Sequence, residues 1–410
     1  MNVLWITTLW PEPIDSGGKI VTAQLVRHLA ARGHRITLCA LDGRPLPAAS
    51  SELSGVIRAV RVPPPRSDRP WFGVGQPFLS AVPHTVAKYW SEPTWEAIRN
   101  LMASGAFDVI HLDHLHTASY GHRIREAFSL PIVMTSHNVE SVLWERLAAR
   151  QRHPVKRAYL RMQRRKLAAY EASVVASVDC VHALSDEDAR RLSAMAPEAR
   201  TLAQPPGVNA DWLGSPRSAP EPGSVVFVGS LDWPPNAEGM AWFRRHVWPR
   251  VQAAIPSAML TLVGPASTRQ RRRWPDPRVT VTGWVEDVRP FVDRAQVVIV
   301  PLHAGSGVRI KLLEALARGK AVVATSVGAE GLDVEAGRHL HIADSPTDFA
   351  DRLTQLLRDP EVRRQLGDAG QDRIRARYRW PAAAERIDAV YRRLTTAERS
   401  IHTRVRQEGA

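Results

Sequence analysis

Short runs of apolar residues alternate with longer segments of mixed polarity along most of the chain. These runs predict buried strands at residues 3–8, 35–41, 109–112, 132–135, 181–183, 225–228, 260–263, 279–282, 297–300 and 321–325. The segments between them, for example 18–32 and 157–177, have the pattern of helices. This strand–helix alternation predicts an α/β fold in which helices cover both faces of parallel sheets.

One segment rich in Pro and Gly interrupts the alternation. It begins at Pro205-Pro206-Gly207 and continues with several prolines up to Gly223, so we predict a linker over residues 207–222. Residues 1–206 and 223–380 then form two doubly wound, Rossmann-like domains that face a cleft. The tail has the pattern of a helix, and we expect residues 381–410 to pack back on the first domain.

The composition fits a globular chain of two domains. Its 410 residues are 44% hydrophobic and 23% charged, which excludes a disordered chain and a coiled coil. The two cysteines, Cys39 and Cys180, exclude a disulfide scaffold or cysteine-rich metal site and fit a reducing compartment. No apolar run is long enough to span a membrane, and the N-terminus lacks the basic segment of a signal peptide. We therefore expect a cytoplasmic protein.

The chain is basic, with 55 Lys and Arg against 41 Asp and Glu and a net charge of +14. The excess is not confined to one arm, so we expect anionic substrates or lipid rather than nucleic acid as partners. Nine cations interleave with apolar side chains in one stretch: Arg146, Arg150, Arg152, Lys156, Arg157, Arg161, Arg164, Arg165 and Lys166. A basic amphipathic helix binds anionic membranes reversibly. A solvated helix face has the same pattern, and both interpretations stay open.

Open parallel sheets bind ligands at the carboxyl ends of their strands. The first strand is followed by a loop, residues 10–19, in which Gly17 and Gly18 open a helix. Two glycines let backbone amides approach an anion at a helix N-terminus. The loop lacks the G-x-G-x-x-G pattern of dinucleotide sites, and a turn without a ligand is the alternative.

Residues 301–319 follow another predicted strand and contain the largest group of candidate ligand-binding residues. Gly305-Ser306-Gly307 can present amides to a phosphate at the start of a helix. Arg309 and Lys311 place two cations in the first turn, where the helix dipole disfavours them and an anionic ligand would offset the cost. Glu314 stands in an otherwise apolar run and can accept two hydroxyl hydrogen bonds, as from a ribose. A solvated helix face is the alternative.

The string Gly-Ser-Gly-Val-Arg-Ile-Lys-Leu-Leu-Glu at 305–314, with Gly328-Ala-Glu-Gly-Leu after it, resembles the donor-binding core of glycosyltransferase family 4. The resemblance extends along the whole chain and includes the segments 17–18, 136–140, 205–209, 226–230 and 281–287. That family contains retaining enzymes with the GT-B architecture of two Rossmann domains. The resemblance therefore implies this fold and the transfer of a sugar from a nucleotide-diphosphate donor.

The family's Glu-x7-Glu motif is only half present in this chain. Its second Glu, which holds the donor ribose, matches Glu314, whereas the first, which contacts the donor sugar, falls at Ser306. In the family, Arg and Lys after the first strand of the second domain grip the diphosphate, but here Gly229-Ser230 begins a loop without a cation. We infer that Arg309 and Lys311 take that role, as in relatives with a Gly-Ser-Gly-x-Arg-x-Lys core. The implied donor site comprises Gly17, Gly18, Gly229, Ser230, Gly305, Ser306, Gly307 and Glu314.

His137 directly follows a predicted strand and the residue Ser136. Its counterpart in the family lies near the donor sugar, and a histidine at the carboxyl end of a strand can donate to a sugar hydroxyl. The resemblance thus places His137 with Arg309 and Lys311 as the catalytic residues. The alternative is a capping cluster, in which Ser136 or Asn138 caps the next helix.

A cluster of histidines around Asp113 follows another predicted strand: His111, His114 and His116. These imidazoles do not share one helical face, and no cysteine joins them, so the pattern favours polar contacts over a metal site. We expect Asp113 and Asn138 to contact the acceptor.

The triplet Asp186-Glu187-Asp188 resembles the D-x-D motif of metal-dependent glycosyltransferases. With Ser185 before it, however, the pattern is that of a helix start, in which the serine is the N-cap and an acid stands three residues later. We therefore predict no metal, and no cofactor apart from the donor itself.

The patterns and the resemblance predict a glycosyltransferase that moves a sugar from a nucleotide-diphosphate sugar to an acceptor hydroxyl with retention. We expect a lipid-linked or saccharide acceptor, a role in cell-surface polysaccharide or glycolipid biosynthesis, and a peripheral position on the inner membrane face. Two alternatives stay open. One is a nucleotide-sugar epimerase or hydrolase on the same fold; the other is a non-catalytic nucleotide-sugar-binding protein, because Ser306 replaces the family's first Glu.

Overall fold

The computed structural model describes residues 1–43, 53, 57–63, 80, 82–214 and 218–408. By its contacts the chain divides into two units, one of Met1–Pro205 with Trp380–Ala410 and the other of Pro206–Arg379. Each unit has its own parallel sheet and its own apolar core. Each is therefore a Rossmann-like α/β unit, as the alternating sequence pattern predicts.

The sheet of the first unit has seven parallel strands in the order β3-β2-β1-β4-β5-β6-β7. They are β1 Asn2–Thr7, β2 Arg35–Ala40, β3 Ile57–Arg61, β4 Val109–Asp113, β5 Ile132–Ser136, β6 Cys180–Ala183 and β7 Thr201–Ala203. The interior strand β1 is enclosed on both faces, with Leu4, Trp5 and Ile6 wholly buried. Burial on both faces explains why the sequence of this strand is apolar without alternation.

Helices connect these strands and cover the sheet. They are α1 Gly17–Ala31, α2 His84–Ala87, α3 Glu92–Ser104, α4 Ala118–Ala127, α5 Glu140–Arg150, α6 Pro154–Ser177 and α7 Asp186–Met195, with a 3₁₀ turn at Leu115–Thr117. The start of α7 confirms the capping interpretation of its acidic triplet, because the hydroxyl of Ser185 accepts from the Asp188 amide at 3.0 Å. This segment is a helix start in the structure.

The second unit repeats the plan with six parallel strands in the order β10-β9-β8-β11-β12-β13. They are β8 Ser224–Val228, β9 Met259–Val263, β10 Val279–Gly283, β11 Val297–Val300, β12 Ala321–Ala324 and β13 His341–Ile342. The helices are α8 Ala210–Leu213, α9 Pro234–Trp242, α10 Trp248–Ala254, α11 Thr268–Arg271, α12 Arg289–Arg294, α13 Ile310–Ala317, α14 Ser326–Ala329, α15 Pro346–Arg358 and α16 Pro360–Arg377, with a π-helical turn at Phe243–Val247.

The last helix, α17 Trp380–Glu408, belongs to the first unit. Its Asp388 accepts from the ring of His34 at 2.9 Å and from the guanidinium of Arg32 at 3.1 Å. Its Tyr391 hydroxyl lies 2.5 Å from Nδ1 of His111, on the central strand β4. The two ends of the chain therefore complete one domain between them.

The segment predicted as a linker, 207–222, is grouped with the second unit where the structure describes it. The buried guanidinium of Arg318 forms a bidentate ion pair with Asp293, at 2.6 and 2.8 Å. A third nitrogen of the same group donates to the carbonyl oxygens of Asp211 and Gly214, at 3.0 and 3.1 Å. These bonds hold α8 beside α12 and the end of α13, so the Pro and Gly residues there mark an irregular but attached segment.

Candidate active site

The carboxyl ends of β4 and β5 bring two imidazoles together in the first unit. His114 follows β4 and His137 follows β5, and their rings stack with centroids 3.7 Å apart and an interplanar angle of 19°. Gly18, at the start of α1, lies over them: a Cβ there would be 3.4 Å from a ring carbon of His114 and 3.8 Å from Nδ1 of His137. The absence of a side chain at Gly18 thus leaves room beside the two rings.

Asp113 lies beneath these imidazoles with no exposed surface. Its Oδ1 is 2.6 Å from Nε2 of His137, and its Oδ2 accepts from the hydroxyl of Thr22 at 2.5 Å. Burial alone would raise the pKa of Asp113, but the neighbouring imidazoles and these hydrogen bonds hold it well below its ordinary value. The predicted acceptor contact does not fit this burial, because both oxygens face protein groups.

The capping alternative for the His137 segment has no support in the structure. Val139 is the N-cap of α5, and the carboxylate of Glu171, from α6, accepts from the amides of Glu140 and Ser141 at 2.8 and 3.1 Å. Ser136 donates instead to the carbonyl oxygen of Asn138 at 2.8 Å. Nothing in the sequence near His137 indicated that a residue of the following helix would cap this one.

Asp113, His114 and His137 are close enough to be considered as metal ligands, since their candidate atoms lie within 4.8 Å of one another. The stacking of the two rings disfavours this, because their nitrogen lone pairs lie in nearly parallel planes and do not converge at the roughly 2.1 Å needed for an ion. His111 lies apart from the cluster and hydrogen-bonds to Tyr391 and to Thr135 at 2.5 and 2.8 Å. The geometry favours a hydrogen-bonded group.

In the second unit, the side chain of Lys311 reaches the loop that follows β8. Its Nζ donates to Oδ1 of Asn236 at 2.9 Å and lies 4.2 Å from the centroid of the Phe227 ring. Gly229 has φ +143°, and a Cβ there would lie 2.5 Å from this Nζ, so only glycine permits the approach. The lysine therefore occupies the loop in which the sequence has no cation of its own.

The Lys311 ammonium has no carboxylate partner among the described ion pairs. Burial, reinforced by the nearby charge of Arg309, lowers its pKa to about 7. Asn236, itself buried, also donates to the carbonyl oxygen of Ser230 at 2.8 Å. Asn236 is thus a site residue that the sequence did not indicate, although it lies in the segment after β8 that was noted in the sequence for its lack of cations.

Arg309 is the N-cap of α13, one residue before the first turn in which we predicted it. Its guanidinium donates to the carbonyl oxygens of Ser306 and Gly307. Gly305 has φ +138° and packs so closely on the guanidinium that a Cβ would lie 2.4 Å from a terminal nitrogen. The segment 305–307 thus folds around the arginine, with two of its carbonyl groups directed at the cation.

Glu314 lies one turn further along α13 and is half-buried. Burial raises the pKa of its carboxyl group to about 8, and the nearest cation that opposes this shift is Arg289. That cation is already paired with Asp287 and Asp211, at 2.9 and 2.8 Å. No ion pair or side-chain hydrogen bond of Glu314 is found among the described residues, so its carboxyl oxygens are available to hydroxyl donors.

The remaining predicted donor residues follow β1 and β8. Gly17 is the first residue of α1, whose N-cap Ser16 makes no side-chain capping bond. Ser230 follows Gly229, and its hydroxyl accepts from the amide of Asp232 at 3.2 Å. Lys19, although close by, is paired with Asp15 at 2.9 Å. Thr22, which holds Asp113, had no signal in the sequence.

The basic segment 146–166 spans the end of α5 and the first half of α6. Six of its cations are exposed: Arg150, Arg152, Lys156, Arg157, Arg161 and Arg165. The apolar Val155 among them is 71% exposed. Arg164 lies 3.8 Å from Glu145, and Lys166 donates to the carbonyl oxygen of Ser80 at 2.5 Å. Across the described part of the chain, no helix has both the length and the hydropathy to cross a membrane.

Both halves of the chain match sequence models of known glycosyltransferase domains. Residues 16–207 match the glycosyl transferase 4-like domain, and residues 222–359 match glycosyl transferases group 1. The fold and these matches define a glycosyltransferase of the GT-B type that uses nucleotide sugars. The two matches together support a GT4-like glycosyltransferase, an enzyme of the hexosyltransferase type.

Individual relatives agree with this assignment. The chain is 28% identical over 311 residues to a phosphatidyl-myo-inositol mannosyltransferase of Mycobacterium leprae, covering 73% of this chain and 77% of that one. It is 30% identical over 139 residues to an uncharacterized 44.6 kDa protein in the cps region of Klebsiella pneumoniae, covering only 32% and 36% of the two chains. The fold is similar to that of sucrose-phosphate synthase from Thermosynechococcus elongatus, with a TM-score of 0.76, 22% identity, and coverage of 97% of this chain and 100% of that one.

Proposed function

We propose that the protein transfers a sugar, with retention of configuration, from a nucleotide-diphosphate sugar to a hydroxyl of a lipid-linked or saccharide acceptor. The observation that carries this proposal is the position of the Lys311 Nζ against Gly229, at the carboxyl end of β8. A buried ammonium without a carboxylate partner there has the charge and the location that a donor diphosphate requires.

Different side chains around Lys311 would bind different parts of the donor. Lys311 and Arg309 would neutralise the negative charge that grows on the leaving diphosphate, since no metal is assigned to that task. Glu314 would accept hydrogen bonds from the ribose, which also favours the ionised carboxyl group against the effect of its burial. Ser306 is 1% exposed, so sugar contacts of the family's first Glu would have to come from elsewhere.

For the first unit, we propose that the imidazole of His137 and the backbone around Gly17 and Gly18 contact the sugar. His137 would hydrogen-bond with a hydroxyl of the donor sugar and orient it. The retaining course is the one that the resemblance implies: the acceptor attacks on the face from which the diphosphate departs, and a phosphate oxygen takes the acceptor's proton.

A lipid-linked acceptor is supported by the name of one relative, a phosphatidyl-myo-inositol mannosyltransferase, and by the exposed cations of the segment 146–166. Each Lys or Arg near an anionic surface contributes about 1 kcal/mol to binding, so six such side chains suffice for reversible attachment. We propose that the enzyme works in the cytoplasm, peripherally on the inner membrane face, in the synthesis of a cell-surface polysaccharide or glycolipid.

The proposal is tested by screening nucleotide sugars for thermal stabilisation and then analysing products with and without lipid extract. We expect one donor to raise Tm and its sugar to appear on an extracted acceptor in the donor's anomeric configuration. K311M is the matched control and should lose both effects. Release or isomerisation of the sugar without any acceptor would favour the hydrolase or epimerase alternative, and stabilisation without turnover would favour a binding protein.

A further inference from the structure

Among the described residues of the first unit are two buried Asp–His pairs with different surroundings. Asp388 pairs with His34 at 2.9 Å and is also bonded to Arg32 and Arg392, at 3.1 and 2.9 Å. His34 directly precedes β2, so this pair lies at the amino-terminal edge of the sheet. Two guanidinium groups compensate its carboxylate, and the pair needs no ligand to explain it.

The other pair, Asp113 with His137, lies at the opposite edge, where α/β sheets bind ligands. No Lys or Arg among the described residues is within ion-pair distance of Asp113, and its partners are His137 and Thr22. A carboxylate buried without a cation is costly, and packing of the sheet does not require one at this position. The position of Asp113 at the ligand-binding edge of the sheet and the energetic cost of its burial both indicate a functional role.

We propose that Asp113 is a positioning residue that fixes the ring of His137 for the transfer reaction. Its Oδ1 accepts the Nε2 hydrogen of His137, and the hydroxyl of Thr22 holds Oδ2 so that the carboxylate cannot turn. The ring of His114, stacked at 3.7 Å, blocks one face of the imidazole. This inference rests on the proposed function, because it assumes that His137 contacts the donor sugar.

The geometry determines which atom of His137 faces the substrate. With Nε2 bound to Asp113, Nδ1 is directed towards Gly18, where a Cβ would lie 3.8 Å away. His137 is 7% exposed, so this ring edge is the part that a ligand beside Gly18 reaches. Loss of the carboxylate would release the ring to rotate and would remove the preference for a proton on Nε2.

The test compares D113N and T22V with D388N, which alters the other buried pair. We expect D113N to lower kcat about 10- to 100-fold, the range seen when a partner that orients a functional histidine is lost. The KM for the nucleotide sugar should change less than threefold, because Asp113 does not contact it. T22V should lower kcat severalfold, whereas D388N should lower Tm and leave kcat within twofold.

A spectroscopic measurement separates this inference from the proposed function. In the NMR spectrum of the parent protein, the Nε2 hydrogen of His137 should give a slowly exchanging downfield signal, assigned by its absence in H137N. D113N should abolish that signal, and D388N should keep it. If D113N retains the signal, or matches D388N in kcat, Asp113 does not position His137. If the parent transfers no sugar yet loses the signal in D113N, the pairing stands and the proposed function fails.

Discussion

The ammonium group of Lys311 donates to the side-chain oxygen of Asn236 at 2.9 Å, although the two residues are 75 positions apart in the chain. Asn236 belongs to α9, after the first strand of the second unit, and Lys311 to α13, after the fourth. Because β8 and β11 are hydrogen-bonded neighbours in the sheet, the loops after them meet. A diphosphate at this edge would therefore face both helices.

Replacing Lys311 with methionine should weaken nucleoside-diphosphate binding. The methionine keeps most of the apolar contact with Phe227 and removes the charge, and a charged hydrogen bond contributes about 1.5–3 kcal/mol, or roughly 10- to 150-fold in Kd. Calorimetry with the diphosphate measures the effect. The exposed Arg338, paired with Glu335 at 3.3 Å, provides the control R338Q, and equal affinities in the two variants would locate the diphosphate elsewhere.

In the E314Q background, where Glu314 adds no titration of its own near pH 8, donor affinity should fall as the pH rises through about 7. Burial lowers the pKa of Lys311 to about 7, so below that pH the lysine is protonated and above it a nucleotide sugar must bind together with a proton. At pH 8 the binding heat of E314Q should thus vary with the ionisation enthalpy of the buffer. The double variant with K311R, whose charge persists at this pH, should bind without proton uptake. A flat pH profile for E314Q would contradict this.

Glu314→Gln should lower affinity for the nucleoside part of the donor. The carboxyl group lacks a partner among the described residues, and loss of its charged hydrogen bonds to a ribose would cost about 1.5–3 kcal/mol. Binding of inorganic pyrophosphate, which has no ribose, should be unchanged and serves as the internal control. Parallel losses for both ligands would instead indicate that the substitution disturbs α13.

In both sheets, the sequence predicts every strand that has a neighbouring strand on each side. β11 and β12 are wholly apolar for that reason, whereas β3 at one edge carries arginines and β7 and β13 have only three and two residues. These three edge strands were missed because an edge strand needs little apolar sequence, whereas β10, at the remaining edge, has alternating apolar residues and was predicted. Pairing of short edges depends on the rest of the sheet.

The site residues likewise fall into two groups: those that a local sequence pattern predicts, and those whose role depends on contacts between distant parts of the chain. Lys311 and Glu314 were found because they stand in a contiguous motif after a strand. The partner of Lys311, the burial of Asp113 and the cap supplied by Glu171 all depend on contacts between elements distant in the chain. No local pattern encodes such contacts, since they arise only when the sheet has brought its strand ends together.

Transfer should not depend on a divalent metal. The stacked rings of His114 and His137 do not converge on an ion, and Asp188 is bound into a helix cap. We expect activity to be unchanged after prolonged chelation and dialysis. Activity that disappears with the chelator and returns with one divalent ion would point to Asp113, His114 and His137 as the ligands.

The enzyme should sediment with anionic vesicles and not with neutral ones. The variant that tests this replaces four exposed cations of the basic segment with Gln: Arg152, Arg157, Arg161 and Arg165. At about 1 kcal/mol each, their loss should reduce binding by two to three orders of magnitude. The control carries the same change at four exposed arginines of the second unit: Arg269, Arg272, Arg352 and Arg364. Equal binding by both variants would favour a soluble acceptor.

The position of α17 has a consequence for how the protein is made. Asp388 and Tyr391 supply partners for His34 and His111, so the first unit lacks part of its interior until the last residues have been synthesised. The second unit, a continuous segment, is complete earlier on the ribosome and can fold before the domain that precedes it. Removal of the final helix should therefore unfold the half of the enzyme that was translated first.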